Sequence, residues 1–163
     1  MPHDLGWLSG KRVLVAGGRV SGLATVAPLV DLGADVLVTD SDHGAVDAAR
    51  SLGAGGVQQD ELLADAGAFD DIALVVTSPG FRHDAPILAA AAGRGIPIWG
   101  DVELAWRVDR AGIYGPPAQW LVVTGTNGKT TTTSMVASIL AAAGLESVAC
   151  GNIGLSVLEA LRA

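Results

Sequence analysis

The residues with the clearest capacity for chemistry form a short glycine loop, GTNGKT, at positions 125–130. Gly125 and Gly128 let the backbone turn sharply and leave amide groups uncovered. Those amides, together with the positive end of a following helix, favour a bound anion. Lys129 adds a positive charge that can reach the β- and γ-phosphates of a nucleotide, and Thr130 places a hydroxyl where Mg²⁺ would sit. The loop therefore predicts a site for the phosphates of ATP.

The elements around this loop must hold it between a strand and a helix. A strand is predicted over Trp120–Thr124, and a helix is predicted over Lys129–Ala143. Four consecutive threonines, at 130–133, are a poor start for a helix on propensity alone, so at least the first hydroxyl has another role. The pattern is shorter than the common P-loop, because Val123 stands where that motif has its first glycine. A plain glycine turn and a general P-loop nucleotide hydrolase remain alternatives.

A second glycine cluster follows the first predicted strand, Arg12–Ala16. The segment VLVAGGRVSGLA resembles a dinucleotide-binding fingerprint, and Asp40 lies 18 residues after Gly22, near the spacing of a ribose-binding carboxylate. Arg19 replaces the second glycine of that fingerprint, where a long side chain would hinder a pyrophosphate. The cluster thus disfavours NAD and favours a nucleotide diphosphate approached by Arg19 itself. An Arg19 that points to solvent is the plain alternative.

A turn of the sequence TSPG, at Thr77–Gly80, follows the strand predicted over Asp71–Val76. In open parallel sheets, ligands lie beyond the carboxyl ends of strands where the strand order reverses. Gly80 can expose its amide at such a position. A proline turn with no ligand is the alternative.

Predicted strands and helices alternate along the whole chain, which indicates an α/β fold with parallel sheets. The remaining predicted elements are a helix at 21–32 capped by Ser21, a strand at 35–39, a helix at 43–52, a strand at 56–59, a helix at 85–93, a strand at 96–99, a helix at 101–109, a strand at 147–149 and a helix at 155–161. The segment Ala111–Gln119 contains two glycines and two prolines, so it is the best candidate for a linker.

The composition and net charge of the chain argue against several classes of protein. Half of the 163 residues are hydrophobic and 17% are charged, which is typical of a chain that forms a core. The net charge of −7 disfavours a nucleic-acid-binding surface. The one cysteine, Cys150, allows no disulfide within the chain and suits a reducing compartment. No leader sequence or apolar run of about 20 residues is visible, so we expect a cytoplasmic protein without membrane insertion.

The loop GTNGKT, followed by GNIG at 151–154, resembles the Mur ligases, which are ATP-dependent amide-forming enzymes of peptidoglycan assembly. The glycine cluster at 17–22, SPG at 78–80 and GDVEL at 100–104 are similar to the members that add D-glutamate. The resemblance implies a Rossmann-like, UDP-substrate-binding domain at 1–112, followed at 113–163 by the first βαβ part of a P-loop ATPase-type domain. We expect this chain to be inactive alone, with its ATP loop lacking the strands that complete the site.

The resemblance also implies roles for individual residues. Lys129 would stabilise charge on the transferring phosphoryl group, and Thr130 would help to hold Mg²⁺. ATP would be bound by Gly125, Thr126, Asn127, Gly128, Lys129, Thr130 and Thr131. The uridine nucleotide would be bound by Arg19, Val20, Ser21, Asp40, Ser41, Asp42, Gly80 and Asn152. Arg19 and Asp42 depart from the family pattern, which has a glycine at the first position and often a basic residue at the second.

The implied reaction has two steps. ATP phosphorylates the carboxylate of UDP-N-acetylmuramoyl-L-alanine, and the amine of D-glutamate then attacks the acyl phosphate, so that phosphate leaves. An L-alanine-adding Mur ligase is the nearest alternative, although SPG and GDVEL count against it. A regulatory module that senses NAD through its first βαβ unit is a rival of a different class. We expect a monomer.

Overall fold

The computed structural model describes residues 4–163, and its centre is a sheet in which all five strands are parallel. In chain order the strands are β1 (Arg12–Ala16), β2 (Asp35–Asp40), β3 (Gly55–Gln58), β4 (Ile72–Thr77) and β5 (Ile98–Gly100). They lie in the order β3-β2-β1-β4-β5. The strand order therefore reverses between β1 and β4, whose carboxyl ends form the crevice where ligands bind in such sheets. The predicted α/β fold with a parallel sheet is confirmed.

Seven α-helices lie among the described residues. They are α1 (Val20–Asp31), α2 (His43–Ser51), α3 (Gln59–Ala64), α4 (Pro86–Gly93), α5 (Asp101–Arg110), α6 (Lys129–Ala142) and α7 (Val157–Arg162), after a 3-10 turn at Gly6–Leu8. Six of them had been predicted; α3 had not. The prediction that Ser21 caps α1 was wrong, because the helix begins one residue earlier and Arg19 occupies the cap without a side-chain hydrogen bond there.

Helices cover both faces of the sheet. The layer that contains α1, α2, α5 and α7 buries apolar side chains such as Val13, Val36, Leu74 and Leu104. The layer that contains α3 and α4 buries a second set, which includes Leu14, Val75 and Ile87. The last four residues of β1 are all buried, as is typical of a central parallel strand covered on both sides. The strands that end at the crevice, β1 and β4, are thus packed on both faces.

The part of the chain after α5 differs from the prediction. Trp120–Thr124 and residues 147–149 were predicted to be strands, and neither forms one. A strand needs a partner for its backbone groups, and none of residues 121–155 is buried against a neighbouring element. Helix α6 forms as predicted but buries no residue. The predicted βαβ part is therefore represented here by its helix alone.

Helix α7 returns to the first layer of the sheet. Leu158 is 2% exposed and belongs to the apolar core that contains residues of α1 and α5. Ser156 caps the helix, accepting from the amide of Glu159 at 3.2 Å, while the Glu159 carboxylate accepts from the amide of Ser156 at 2.8 Å. No helix among residues 4–163 is both long and apolar enough to cross a bilayer.

Candidate functional site

The predicted phosphate loop, residues 125–130, ends in the first turn of α6. Gly125 has a φ of 148° and Gly128 has a φ of 75°, which are conformations that favour glycine. Gly128 is the N-cap of α6, so that Lys129 is the first residue of the helix. The Lys129 Nζ donates to the carbonyl oxygens of Gly125 at 2.7 Å and Thr126 at 3.3 Å. The ammonium group therefore closes back over the loop.

The loop and helix start can accept an anion. Every residue from 124 to 132 is exposed, and no side chain of residues 4–163 caps the start of α6. The helix has 14 residues, which is long enough for its first-turn amides to carry a substantial partial positive charge. The hydroxyl of Thr133 bonds within the helix, since it donates to the carbonyl of Lys129 at 2.9 Å. Thr130 and Thr131 remain exposed beside the lysine.

A second candidate site lies at the carboxyl end of β2. Asp40 is buried, and its Oδ2 accepts from the amide of Gly18 at 2.7 Å while its Oδ1 accepts from the amide of Asp42 at 2.9 Å. Burial raises the pKa of Asp40, but hydrogen bonds from backbone amides, that of Gly18 foremost, outweigh burial, and the pKa lies below its ordinary value. Asp40 is therefore an ionised group that ties the loop after β1 to the end of β2.

Close contacts explain the glycines of the loop after β1. A methyl group on Gly22 would lie 1.7 Å from the carbonyl oxygen of Gly17. A methyl group on Gly17, whose φ is 105°, would lie 1.9 Å from the Ser78 Oγ and 3.1 Å from the ring of Phe81. The loop after β1 and the turn after β4 thus touch across the point where the strand order reverses.

Ser78 and Phe81 were not predicted as site residues. The hydroxyl of Ser78 donates to the carbonyl of Ala16 at 2.8 Å, which joins the ends of β1 and β4. Phe81 lies beside a groove of about 450 Å³ lined by Gly80, Phe81, Arg82, Asp84, Ala85 and Pro86. The signal that could have found them is position, because both follow the strand on one side of the reversal point.

All but one of the predicted uridine-site residues lie around the crevice at the carboxyl ends of the strands. The exception is Asn152. Arg19 and Val20, at the start of α1, are exposed, and Val20 is 71% exposed despite its apolar side chain. Ser21 is partly buried, whereas Ser41, Asp42 and Gly80 are exposed. Asp42 also caps α2, since it accepts from the amide of Gly44 at 2.9 Å. Asn152 is exposed on a separate turn, which the amide of Gly151 closes by donating to the carbonyl of Leu155 at 2.8 Å.

Residues 4–163 contain no group of three or more His, Cys, Asp or Glu side chains placed to hold a metal ion. The Thr130 hydroxyl is therefore the one protein ligand that was predicted for Mg²⁺. An ion at this loop would take its other ligands from phosphate oxygens and water. The chemistry of the residues fits a metal that arrives with a nucleotide. It does not fit a preformed metal centre built from these residues alone.

A family model and several curated relatives match this chain. A family model described as Mur ligase middle domain matches residues 123–159. The UDP-N-acetylmuramoylalanine–D-glutamate ligase of Rhodococcus jostii is 64% identical over 158 residues, which are 97% of this chain and 32% of that protein. The ligase of the same name from Mycolicibacterium smegmatis is 53% identical over 93% of this chain and 30% of that protein.

A solved structure, the UDP-N-acetylmuramate–alanine ligase of Thermotoga maritima, is 27% identical over 80% of this chain and 29% of that chain, with a TM-score of 0.47. The chain spans about a third of the length of the curated relatives that it matches. The alignment with the Rhodococcus jostii relative covers nearly the whole of this chain, and the chain belongs to the Mur ligase family.

Proposed function

We propose that this chain is part of an ATP-dependent ligase that adds D-glutamate to UDP-N-acetylmuramoyl-L-alanine and forms ADP. The observation that carries the proposal is the 64% identity, over 97% of the chain, to a relative named for that reaction. The phosphate loop supports it, because Lys129 and the uncapped start of α6 offer a binding place for the phosphates of ATP. We expect a monomer that works in the cytoplasm, with no nucleic-acid partner and no insertion into a membrane.

The chain divides, in this proposal, into a UDP-substrate-binding domain at 1–112 and the start of an ATP-binding domain at 113–163. The five-stranded sheet and its helices up to α5 support the first assignment. The Mur ligase middle domain match at 123–159 supports the second. The lone α6 with its exposed surface suits a domain that is only begun here.

For ATP, we assign the loop Gly125–Thr131 to the phosphates. The Lys129 ammonium would leave the carbonyls of Gly125 and Thr126 and bind the transferring phosphoryl group, whose charge it would stabilise. The hydroxyl of Thr130 would ligate Mg²⁺, which when bound neutralises charge on the phosphates. Backbone amides of the first turn of α6 would bind the remaining oxygens.

For the uridine nucleotide, we assign the crevice between the ends of β1 and β4. The residues that we expect to contact it are Arg19, Val20, Ser21, Asp40, Ser41, Asp42, Gly80 and, from the turn before α7, Asn152. Arg19 supplies an exposed cation next to the N-terminus of α1, where a diphosphate would be stabilised by both charges. Asp40 would orient the loop through Gly18 and leave its remaining acceptor capacity for a hydroxyl or imide of the ligand.

The reaction follows from the weakness of a carboxylate as an electrophile. Transfer of the γ-phosphoryl group to the L-alanyl carboxylate forms an acyl phosphate and ADP. The amine of D-glutamate attacks the acyl carbon, the C–O bond to phosphate breaks, and the amine loses a proton. Within this chain, Lys129 and the helix start hold the phosphoryl group in place, which is the main task of a protein in phosphoryl transfer.

A chimera tests the proposal. Residues 1–163 would replace the corresponding third of the Rhodococcus jostii ligase, with which they share 64% identity. We expect ADP release that requires both D-glutamate and UDP-N-acetylmuramoyl-L-alanine. A Lys129→Ala chimera is the negative control, and the parent ligase is the positive one. A folded chimera that binds the uridine substrate but releases no ADP would show that this chain does not serve that reaction.

A binding experiment separates the proposal from the NAD-sensing alternative. UDP-N-acetylmuramoyl-L-alanine and NAD would be titrated separately into the 163-residue chain by calorimetry. We expect heat from the uridine nucleotide and none from NAD, because Arg19 stands where a dinucleotide site has glycine. Binding of NAD without binding of the uridine nucleotide would reverse the assignment of the first domain.

A further inference from the structure

A buried carboxylate lies where the chain leaves the first domain. Asp109, near the end of α5, has a side chain that is only 4% exposed. Its Oδ1 accepts from the amide of Ala118 at 2.9 Å. Its Oδ2 accepts from the indole Nε1 of Trp120 at 2.9 Å and from Nη2 of Arg110 at 2.6 Å. We name Asp109, Arg110, Ala118 and Trp120 the Asp109 cluster.

Two side chains of the Asp109 cluster hydrogen-bond the backbone N–H and C=O of Ala118. Asp109 accepts from the N–H of Ala118, while the guanidinium of Arg110 donates to the carbonyl oxygen of the same residue. Trp120 also packs against the apolar layer that contains α1 and α5. The path between residues 110 and 118 has the glycine and proline content of a flexible linker, yet its far end is fixed to the helix from which it starts.

The phosphate-loop segment begins immediately after this cluster. Residues 121–155 include the loop and α6, and none of them is buried. The next buried residues are Ser156 and Leu158, which belong to the cap and body of α7. The segment is thus joined to the first domain at two places, the Asp109 cluster on entry and α7 on return.

Removal of the Asp109 charge would disturb the entry point strongly. Three donors converge on this carboxylate, and hydrogen bonds to a charged acceptor are stronger than those to a neutral one, so a neutral side chain at this position would weaken all three. Burial raises the pKa of Asp109, but the hydrogen bonds from the Ala118 amide, the Arg110 guanidinium and the Trp120 indole lower it by more than burial raises it. The pKa therefore lies below its ordinary value, and the group is ionised at neutral pH. The charge is therefore available to all three donors.

We propose that Asp109 is a positioning residue, which fixes the place where the phosphate-loop segment leaves the first domain through its bonds to Ala118 and Trp120. The consequence rests on the proposed function: with the entry point fixed, the phosphate loop is presented to the nucleotide crevice over a narrow range of distances. A freed linker would spread that range and lower the fraction of molecules in which both substrates can meet.

The test measures a distance rather than stability. Spin labels would be placed on Ala92→Cys in α4 and on Val122→Cys, two residues after Trp120, in a Cys150→Ser background; both sites are exposed. We expect Asp109→Asn to widen the distance distribution by about twofold, because the linker regains the freedom of a flexible coil. The matched control is Asp47→Asn, which removes an exposed carboxylate that pairs with Arg50 and should leave the width unchanged.

A second variant guards against loss of folding. Trp120→Phe keeps the carboxylate and an aromatic ring but removes one donor, and it should widen the distribution less than Asp109→Asn does. If Asp109→Asn lowers the melting temperature while both variants keep the wild-type width, the carboxylate is only structural and the proposal fails. Because the labels report geometry without any ligand, absence of nucleotide binding would overturn the proposed function while leaving this test intact.

Discussion

The Nζ of Lys129 lies 2.7 Å from the carbonyl oxygen of Gly125, to which it donates a hydrogen bond across the phosphate loop. The lysine therefore rests on a neutral carbonyl whose attraction for a cation is weaker than that of a phosphate oxygen. A nucleotide would draw the ammonium away from this carbonyl without any change in the helix that carries it. The relationship makes Lys129 the first residue to test.

Replacement of Lys129 by alanine should abolish most phosphoryl transfer in the chimera described above. Loss of one preorganised electrostatic group lowers kcat by about 10²–10³-fold in comparable sites. ADP release would be measured at saturating ATP. The control is Lys11→Ala, since Lys11 is the only other lysine in the sequence and is exposed near β1. An equal loss of kcat in both variants would mean that the positive charge of Lys129 has no specific role in phosphoryl transfer.

A methyl group at Gly22 should destabilise the fold, because it would lie 1.7 Å from the carbonyl oxygen of Gly17. Overpacking of this kind costs about 1–3 kcal/mol in the free energy of unfolding. Gly80→Ala is the matched control, since a methyl group there meets no atom within 4 Å. Urea denaturation of both variants checks the difference. A Gly22→Ala protein as stable as Gly80→Ala would contradict the close contact.

Asp40 should make the fold sensitive to acid. Its pKa in the folded chain lies below the ordinary value of 3.8, so its contribution to stability is present above that value and is lost as the pH falls through the folded pKa. We expect the urea midpoint of Asp40→Asn to be lower than that of the wild type at pH 7. The two midpoints should converge toward pH 3. Asp60→Asn, at an exposed position of α3, should follow the wild-type curve throughout.

Tyr114, the only tyrosine of the chain, should ionise late. Burial and a 2.6 Å hydrogen bond to Asp31 raise its pKa to about 12 from an ordinary value of 10.0. Its contribution to stability is complete below pH 10 and is lost as the pH rises toward 12. Absorbance at 295 nm reports this ionisation directly. Asp31→Asn should shift the midpoint toward lower pH, whereas a shift in the opposite direction would be inconsistent with the hydrogen bond.

Leu158 should hold α7 on the first layer of the sheet. Truncation of a fully buried leucine costs about 2–5 kcal/mol, which is enough to release a six-residue helix from its contacts. Leu158→Ala should therefore lose amide-exchange protection throughout α7. Leu155→Ala, at a side chain that is 48% exposed, is the control. Arg162, the last residue of α7, lies over the ring of Tyr114 at 5.7 Å from the centroid and 3.7 Å from the Asp31 carboxylate. Protection that survives in Leu158→Ala would mean that these contacts of Arg162 suffice to hold the helix.

The sequence alone determined the features that depend on neighbouring residues. The phosphate loop, its lysine and the helix that follows could be predicted because glycine conformations and helix starts are properties of a few consecutive positions. Strands β1, β2 and β4 were recognisable because buried parallel strands are short runs of branched apolar residues bounded by turns. The family resemblance of GTNGKT and GNIG was likewise contained in local motifs, and the comparisons confirmed it.

The tertiary structure decided which distant residues meet. Asp40 accepts from Gly18 and Asp109 accepts from Trp120, and neither pair could be inferred because their contacts depend on how strands and helices pack. The segment Trp120–Thr124 has the composition of a strand but forms none, since a strand requires a partner for its backbone groups and local sequence cannot supply one. Local propensity thus determines the loop and its helix. Long-range pairing determines the crevice, the bonds of Asp109 at the entry point, and the absence of a second sheet among residues 4–163.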